Sequence, residues 1–341
     1  MSLNAPDPPA ATSSPSPRKV SVALLVVAIL ITAAIAIGAT GAYFILKPSS
    51  TPGSVHVTDD LGRSITVPYN PSRVVELSPS VMDSLYRLGL RSHVVGVDCY
   101  AAIDGGLAAD YSTDQIALWD LSSSMCIQVG PTFDFEQLVN ASPQIVFATT
   151  IISISAVEEI QSTYHIPVVM LQPPTLSGIE VDLSILAQIF PVQSQVNSLN
   201  AQLNLELYNA SQIPNEVLSD PTVLVTFDTD TNGYWTFGPG TFGQSLIEIA
   251  GGASISANST YPYPELSSEQ VIASDPQWIV YGTGFGLNLS YYQTGPQWSD
   301  IPAVIAGNIT GIDSNYITEP DPTMILVGLP ALIAIFHPGL A

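Results

Sequence analysis

The sequence predicts an α/β protein: two Rossmann-like α/β lobes joined by one long connector helix, with a membrane-spanning segment ahead of them. Three observations predict it. Apolar strands alternate with amphipathic helices, a twelve-residue segment occurs twice at a spacing of 133, and 27 uncharged residues run together near the N-terminus.

From Val74 to Val97 the chain reads strand, helix, strand: VVEL, then PSVMDSLYRLGL with apolar residues at helical spacing, then HVVGV. Pro79 and Ser80 stand where that helix begins and Gly89 near its end, as helix boundaries favour. After an irregular stretch come helices near Phe135–Asn140 and Val157–Tyr164, alternating with strands Ile145–Ala148 and Val168–Leu171. Such alternation gives a mostly parallel sheet with helices on both faces. Residues 54–190 form the first lobe.

The repeat sets Glu136-Gln137-Leu138-Val139-Asn140-Ala141-Ser142-Pro143-Gln144-Ile145-Val146-Phe147 against Glu269-Gln270-Val271-Ile272-Ala273-Ser274-Asp275-Pro276-Gln277-Trp278-Ile279-Val280, with four identities and the apolar positions kept. The same helix, Pro-containing turn and strand is therefore expected once per lobe. Between the copies, Val192, Val196, Leu199, Leu203 and Leu207 share one helical face, and Pro191 separates this helix from a shorter one before it. The connector is 191–213 and the second lobe 214–341. That lobe holds strands VLVTF and WIVYG, a helix Phe242–Ala250 stopped by Gly251-Gly252, and a packed terminal helix over Met324–Phe336.

Val20–Leu46 carries no charge and is long enough to cross a bilayer, which takes about 20 residues. It is too long for the core of a cleavable leader, so residues 20–46 read as an uncleaved signal anchor. Arg18 and Lys19 before it and Lys47 after it put the N-terminus inside. Residues 1–19 are a disordered cytoplasmic tail, 47–53 a flexible linker, and the remainder lies outside the cell. Sequons at Asn140, Asn209, Asn258, Asn288 and Asn308 permit glycosylation there. Cys99 and Cys126 are the only cysteines, a disulfide in an oxidising compartment or two buried thiols.

From residue 48 onward, 28 acidic side chains face four arginines (Arg63, Arg73, Arg87 and Arg91), an excess of 24 negative charges. Nucleic acid is excluded as a partner, because binding a duplex needs a basic face. Self-repulsion at neutral pH would fall away in acid, so the chain belongs to an acidic external medium or is an ordinary acidic secreted protein.

From Val57 to Pro338 the segments DDLGRSITVPYNPSRVVELSPSVMDSLYRLGLRSHVVGV, VGPTFDFEQLVNASPQIVFAT, TFGPGTFGQSLIEIAGG, YPELSSEQVIASDPQWIVYG and PQWSDIPAVIAGNITGID follow in order. In them the chain resembles the substrate-binding proteins of siderophore, haem and cobalamin ABC importers. The resemblance implies a ligand cleft between two lobes with little hinge closure. Its ligand would be a small metal chelate (ferric siderophore, haem or corrinoid), its partner an ABC permease dimer, and it implies no intrinsic cofactor and no enzymatic activity. Glu136 and Glu269 match the two surface glutamates that dock to the permease; as helix-start acids they would also simply complement the helix dipole.

The ligand-contacting positions that match are Ser80, Tyr100, Trp235, Tyr263 and Tyr316, with Trp119 and Phe133 in the stretch that would form the first lobe's rim. Aromatic faces suit a macrocycle or a catecholate, and core packing is the alternative for each. Trp235 stands out because Gly233, Gly238 and Gly240 around it read as an exposed loop. Two departures matter. Pro322-Thr323 lacks the Arg that many relatives carry after the Pro, which disfavours a strongly anionic ligand, and Asp83 replaces the usual Glu of the first helix. His56, His93, His165 and His337 fall in separate contexts, so no metal site is read from them. The competing functions are a surface sensor or adhesin built on the same lobes and, with no G-x-S-x-G, H-E-x-x-H or P-loop in the chain, an extracellular hydrolase.

Overall fold

The computed structural model describes residues 53–99, 113–129, 132–212, 220–229, 233–283 and 298–339. Residues Gly53–Ala341 form one compact unit. The anchor expected at 20–46, the tail before it and most of the linker lie outside the described residues, and among those described no helix is long and apolar enough to cross a membrane.

The first lobe begins with an antiparallel hairpin, β1 (Ser54–Thr58) and β2 (Ser64–Pro68). Then come β3 (Val74–Leu77), α1 (Pro79–Arg87), β4 (Val94–Cys99), α2 (Thr113–Leu118), β5 (Cys126–Gln128), α3 (Phe135–Asn140), β6 (Ile145–Ala148), α4 (Ile154–Ser162) and β7 (Val168–Met170). The five strands form a parallel sheet in the order β5-β4-β3-β6-β7. The hairpin turn is fixed to its edge, since Asp59 accepts from Arg63 Nη2 at 2.6 Å and from the Met170 amide at 3.2 Å. Helix α4 starts at Ile154, three residues before the first residue that periodicity marked. Ser153 caps it by accepting from the Ala156 amide, a signal that apolar spacing does not carry.

Two helices cross to the second lobe, α5 (Leu176–Ile189) and α6 (Gln193–Ala210), with Pro191 in the break between them. The second lobe comprises β8 (Thr222–Thr229), β9 (Tyr234–Thr236), α7 (Phe242–Ile249), β10 (Ala253–Ser254), β11 (Glu265–Leu266), α8 (Ser268–Ser274), β12 (Trp278–Thr283), α9 (Pro302–Ala306), β13 (Ile309–Asp313), α10 (Asn315–Thr318) and α11 (Leu329–Phe336). Its sheet runs β11-β9-β8-β12-β13, with β10 beside β8; β9 lies antiparallel to both its neighbours. The apolar run Met324–Phe336 is not one helix. A wide π turn over Met324–Gly328 precedes α11, because Pro330 fits only the first turn of a helix.

The packing explains why two lobes make one compact unit. Alternate strand residues face opposite ways, and Val74 and Val223 point into a core that the lobes share, with Met82, Leu186, Leu203 and Phe336. Their neighbours Val75 and Leu224 point outward into separate cores, one under α4 and one under α8. Hinge opening would expose part of the shared core at about 25 cal/mol per Å², so the lobes are held close to one relative position.

The repeat is reproduced in three dimensions. Helices α3 and α8 occupy matching places, each capped 133 residues apart, Asp134 accepting from the Gln137 amide at 2.9 Å and Ser267 from the Gln270 amide at 3.3 Å. Each helix leaves through a left-handed residue, Ser142 at φ 47° and Asp275 at φ 52°. Pro follows, and then a Gln whose side chain accepts from the chain leading into the neighbouring strand. Gln144 Oε1 binds the Ser72 amide at 2.7 Å, and Gln277 Oε1 the Thr222 amide at 3.0 Å. Two of the four identical residues of the repeat, the Pro and the Gln after it, therefore make its turn and its tie, and they set β6 against β3 and β12 against β8 in the same way.

Candidate ligand cleft and docking carboxylates

Open parallel sheets bind ligands beyond the carboxyl ends of their strands. In the first lobe those ends lead into Ser78–Ser80 after β3 and Thr149–Ile151 after β6; the segment after β4, with the predicted contact Tyr100, lies outside the described residues. Asn315 of α10 reaches Gln115 of α2 with a 2.9 Å hydrogen bond between the lobes.

The predicted aromatic positions separate into two groups. Tyr263 is 44% exposed and stands edge-on to Phe227 and Phe237, both at 6.3 Å between ring centres, while burial of half its surface pushes its hydroxyl pKa up. Tyr261 beside it is 70% exposed, a surface aromatic that motif matching passed over although it sits in the same YPYPEL segment. Trp235 is half-buried on β9 rather than on an exposed loop. Its glycine neighbours have another cause: a Cβ at Gly233 would collide with the Leu266 carbonyl, and one at Gly238 with the Tyr261 carbonyl. They let β11 and the Tyr261–Pro264 segment lie against β9. Tyr316, on α10, is half-buried against the shared core.

Three positions are corrected. Trp119 is only 2% exposed and packs in the shared core 6.3 Å from the Tyr86 ring, so it forms no rim. Phe133 lies 4.8 Å from Phe135, which stacks on Tyr164, and the group packs on the first lobe's outer core beside Glu136. Ser80 is 4% exposed, with its hydroxyl 2.7 Å from that of Ser78. It lines a small, partly open cavity of about 10 Å³ with Ser84, Asp182 and Pro320, room for a single water.

Glu136 and Glu269 are exposed in the first turns of α3 and α8. Its own backbone amide and the Ser267 hydroxyl, 2.8 Å away, hold the Glu269 carboxyl below its ordinary pKa, so it is charged at neutral pH. Asn140 is one turn from Glu136 on the same short helix; Asn209 and Asn258 are exposed, Asn308 is half-buried and donates to the Gln277 carbonyl, and Asn288 lies outside the described residues. A disulfide joins Cys99 to Cys126 at the end of β4. Among the described residues no three His, Cys, Asp or Glu side chains converge as metal ligands.

The family model for periplasmic binding proteins matches residues 74–316. The chain belongs to the periplasmic binding protein family. It is thus an extracytoplasmic solute-binding component of the ABC importer type, and the sensor, adhesin and hydrolase alternatives do not fit that assignment. Among the members it is similar to a cobalamin-binding protein of Halobacterium salinarum, 25% identical over 275 residues, which is 78% of this chain and 70% of the relative. It is also similar to a vitamin B12-binding protein of Photorhabdus laumondii, 25% identical over 63% of this chain and 72% of the relative. Its fold matches the molybdate periplasmic binding protein MolA of Haemophilus influenzae with a TM-score of 0.71 at 18% identity, over 83% of this chain and 91% of that one.

Proposed function

We propose that this chain is the membrane-tethered receptor of an ABC importer and that it captures a bulky metal chelate, a corrinoid before a ferric siderophore or haem, between its lobes. The observation that carries the importer reading is the repeated frame of α3 and α8. One ionisable carboxylate stands in the first helical turn of each copy, as a permease dimer with two equivalent basic pockets requires. The residue chemistry favours an electrically mild ligand. No Lys or Arg follows Arg91, whereas Trp235, Tyr261, Tyr263 and Tyr316 offer flat apolar faces with polar edges. The names of the two relatives support a corrinoid in particular.

The uncharged run at 20–46 acts in this reading as a single-pass anchor, with the binding unit outside the cell and sequons Asn209 and Asn258 open to glycosylation. Thermal unfolding of the full chain in detergent, with cyanocobalamin, haemin or a ferric siderophore added, tests the ligand. Ligand at a hundredfold excess over Kd stabilises by about 2.7 kcal/mol, and Trp235→Ala should weaken the strongest response at least about tenfold. A response only to haemin or siderophore would remove the corrinoid, and an unchanged Trp235→Ala variant would remove the cleft assignment.

A further inference from the structure

Residues Glu319–Thr323 of the second lobe lie along α1 of the first. Thr323 donates its amide to Asp83 Oδ2 at 3.3 Å, and its hydroxyl accepts from Arg87 Nη2 at 2.7 Å. Arg87 Nε also donates to Asp83 Oδ2 at 2.7 Å, so one guanidinium spans the seam. Asp321, two residues from Thr323, is buried, with Oδ1 accepting the Met324 amide at 3.0 Å. Pro320 lines the water-sized cavity together with Ser80 and Ser84, which share the α1 face of Asp83 and Arg87, and with Asp182 of α5. The charged and titratable groups facing Asp321 are therefore Asp83 and Arg87 from α1 and Glu319 from its own loop. The π turn and α11 bring no ionisable side chain, and α6 presents only Ser194, Gln195, Ser198 and Gln202 beside Arg87.

We propose that Glu319–Thr323 is a charge-limited latch: it holds the second lobe on α1 while the Asp83–Asp321 pair carries one negative charge, the one that Arg87 balances, and it loosens when the pair carries two. Two buried carboxylates with a single cation leave one charge uncompensated away from water, which costs several kcal/mol. Burial raises the pKa of both acids, and the proximity of Asp83 raises that of Asp321 further. The latch therefore closes in acid and weakens toward alkaline pH. Because the lobes otherwise meet through a packed core, it sets how firmly one rim of the cleft is held without a hinge.

Hydrogen exchange of the full chain in detergent, corrected for the intrinsic pH dependence of exchange, reads the latch directly. Amides of 319–328 and of α1 should exchange at least about tenfold faster at pH 9 than at pH 5, while α3 and α8 change little. In an Asp182→Asn background, which removes the titration of the acid that lines the cavity beside α1, Asp321→Asn, which leaves one ionisable partner, should abolish that pH dependence. A wild type without the acceleration, or an equal acceleration in Asp321→Asn on that background, overturns the latch. Should that variant fail to fold, ¹³Cγ titration of aspartate-labelled wild type decides. One of the pair should stay protonated above pH 7, and loss of both protons in the ordinary carboxyl range refutes the proposal.

Discussion

Asp182→Asn should stabilise the protein at neutral pH and leave it nearly unchanged in acid. Asp182 is buried on α5 beside Asp60, whose Oδ2 accepts the Gln172 amide at 2.5 Å. Burial first, and then the neighbouring Asp60 carboxyl, push its pKa up to about 9. The folded chain thus keeps a proton at pH 7.5 that the unfolded chain has released. The associated stability is fully present below the ordinary carboxyl range and is lost as pH rises toward 9. At about 1.4 kcal/mol per pH unit the loss by pH 7.5 reaches at most about 5 kcal/mol, and water entering the site leaves about 2 to 5. Asparagine has nearly the same shape and no proton to lose. Asp182→Asn should therefore unfold about 4 to 10 °C above wild type at pH 7.5, by roughly 2 °C per kcal/mol for a chain of this size, and within about 2 °C of it at pH 4. Thermal unfolding followed by circular dichroism at both pH values measures this. An equal shift at the two pH values, or destabilisation at pH 7.5, would refute the linkage. Wild type itself should be most stable in acid, the direction that its charge excess also sets.

Other expectations follow from the packing and the repeat. Glu136→Ala combined with Glu269→Ala should abolish uptake in cells while leaving ligand affinity of the isolated protein within about twofold, since both carboxylates are exposed on the surface in the first turns of α3 and α8. Leu203→Ala should cost about 2 to 5 kcal/mol and lower a single unfolding transition reported by both lobes, because Leu203 lies in the core they share; two separate transitions in calorimetry would contradict the shared core. Cys126→Ser should cost about 3.5 kcal/mol, the loop-closure value for a 27-residue separation, and denaturant titration under non-reducing conditions measures it.

Much of the site's frame was legible in the residues, and much of its surface was not. The identical Pro and Gln of the repeat marked two equivalent helix–strand units, since a left-handed exit and a side-chain tie are local devices that a short segment encodes. The caps Asp134 and Ser267 stand two residues ahead of the two glutamates and could have extended the repeat. Trp119 could not be assigned in the same way. Whether an aromatic ring lies in a core or on a rim depends on Tyr86 and on helices far along the chain. The glycines around Trp235 misled for a related reason: glycine permits an exposed turn and a close backbone approach equally, and only the neighbouring strand distinguishes them.

By itself the sequence determined the α/β class, the doubled unit, the long helix between the lobes and the places of the two carboxylates. Each of these follows from periodicity, breakers and caps within a few residues. Only the tertiary structure decided that the lobes share a core, that Ser80 and Trp119 are enclosed, and that Asp83 and Asp321 meet across the seam. Those facts depend on residues up to about 240 positions apart, as in the bond between Asp83 and Thr323, and no local signal carries the burial that sets their charge.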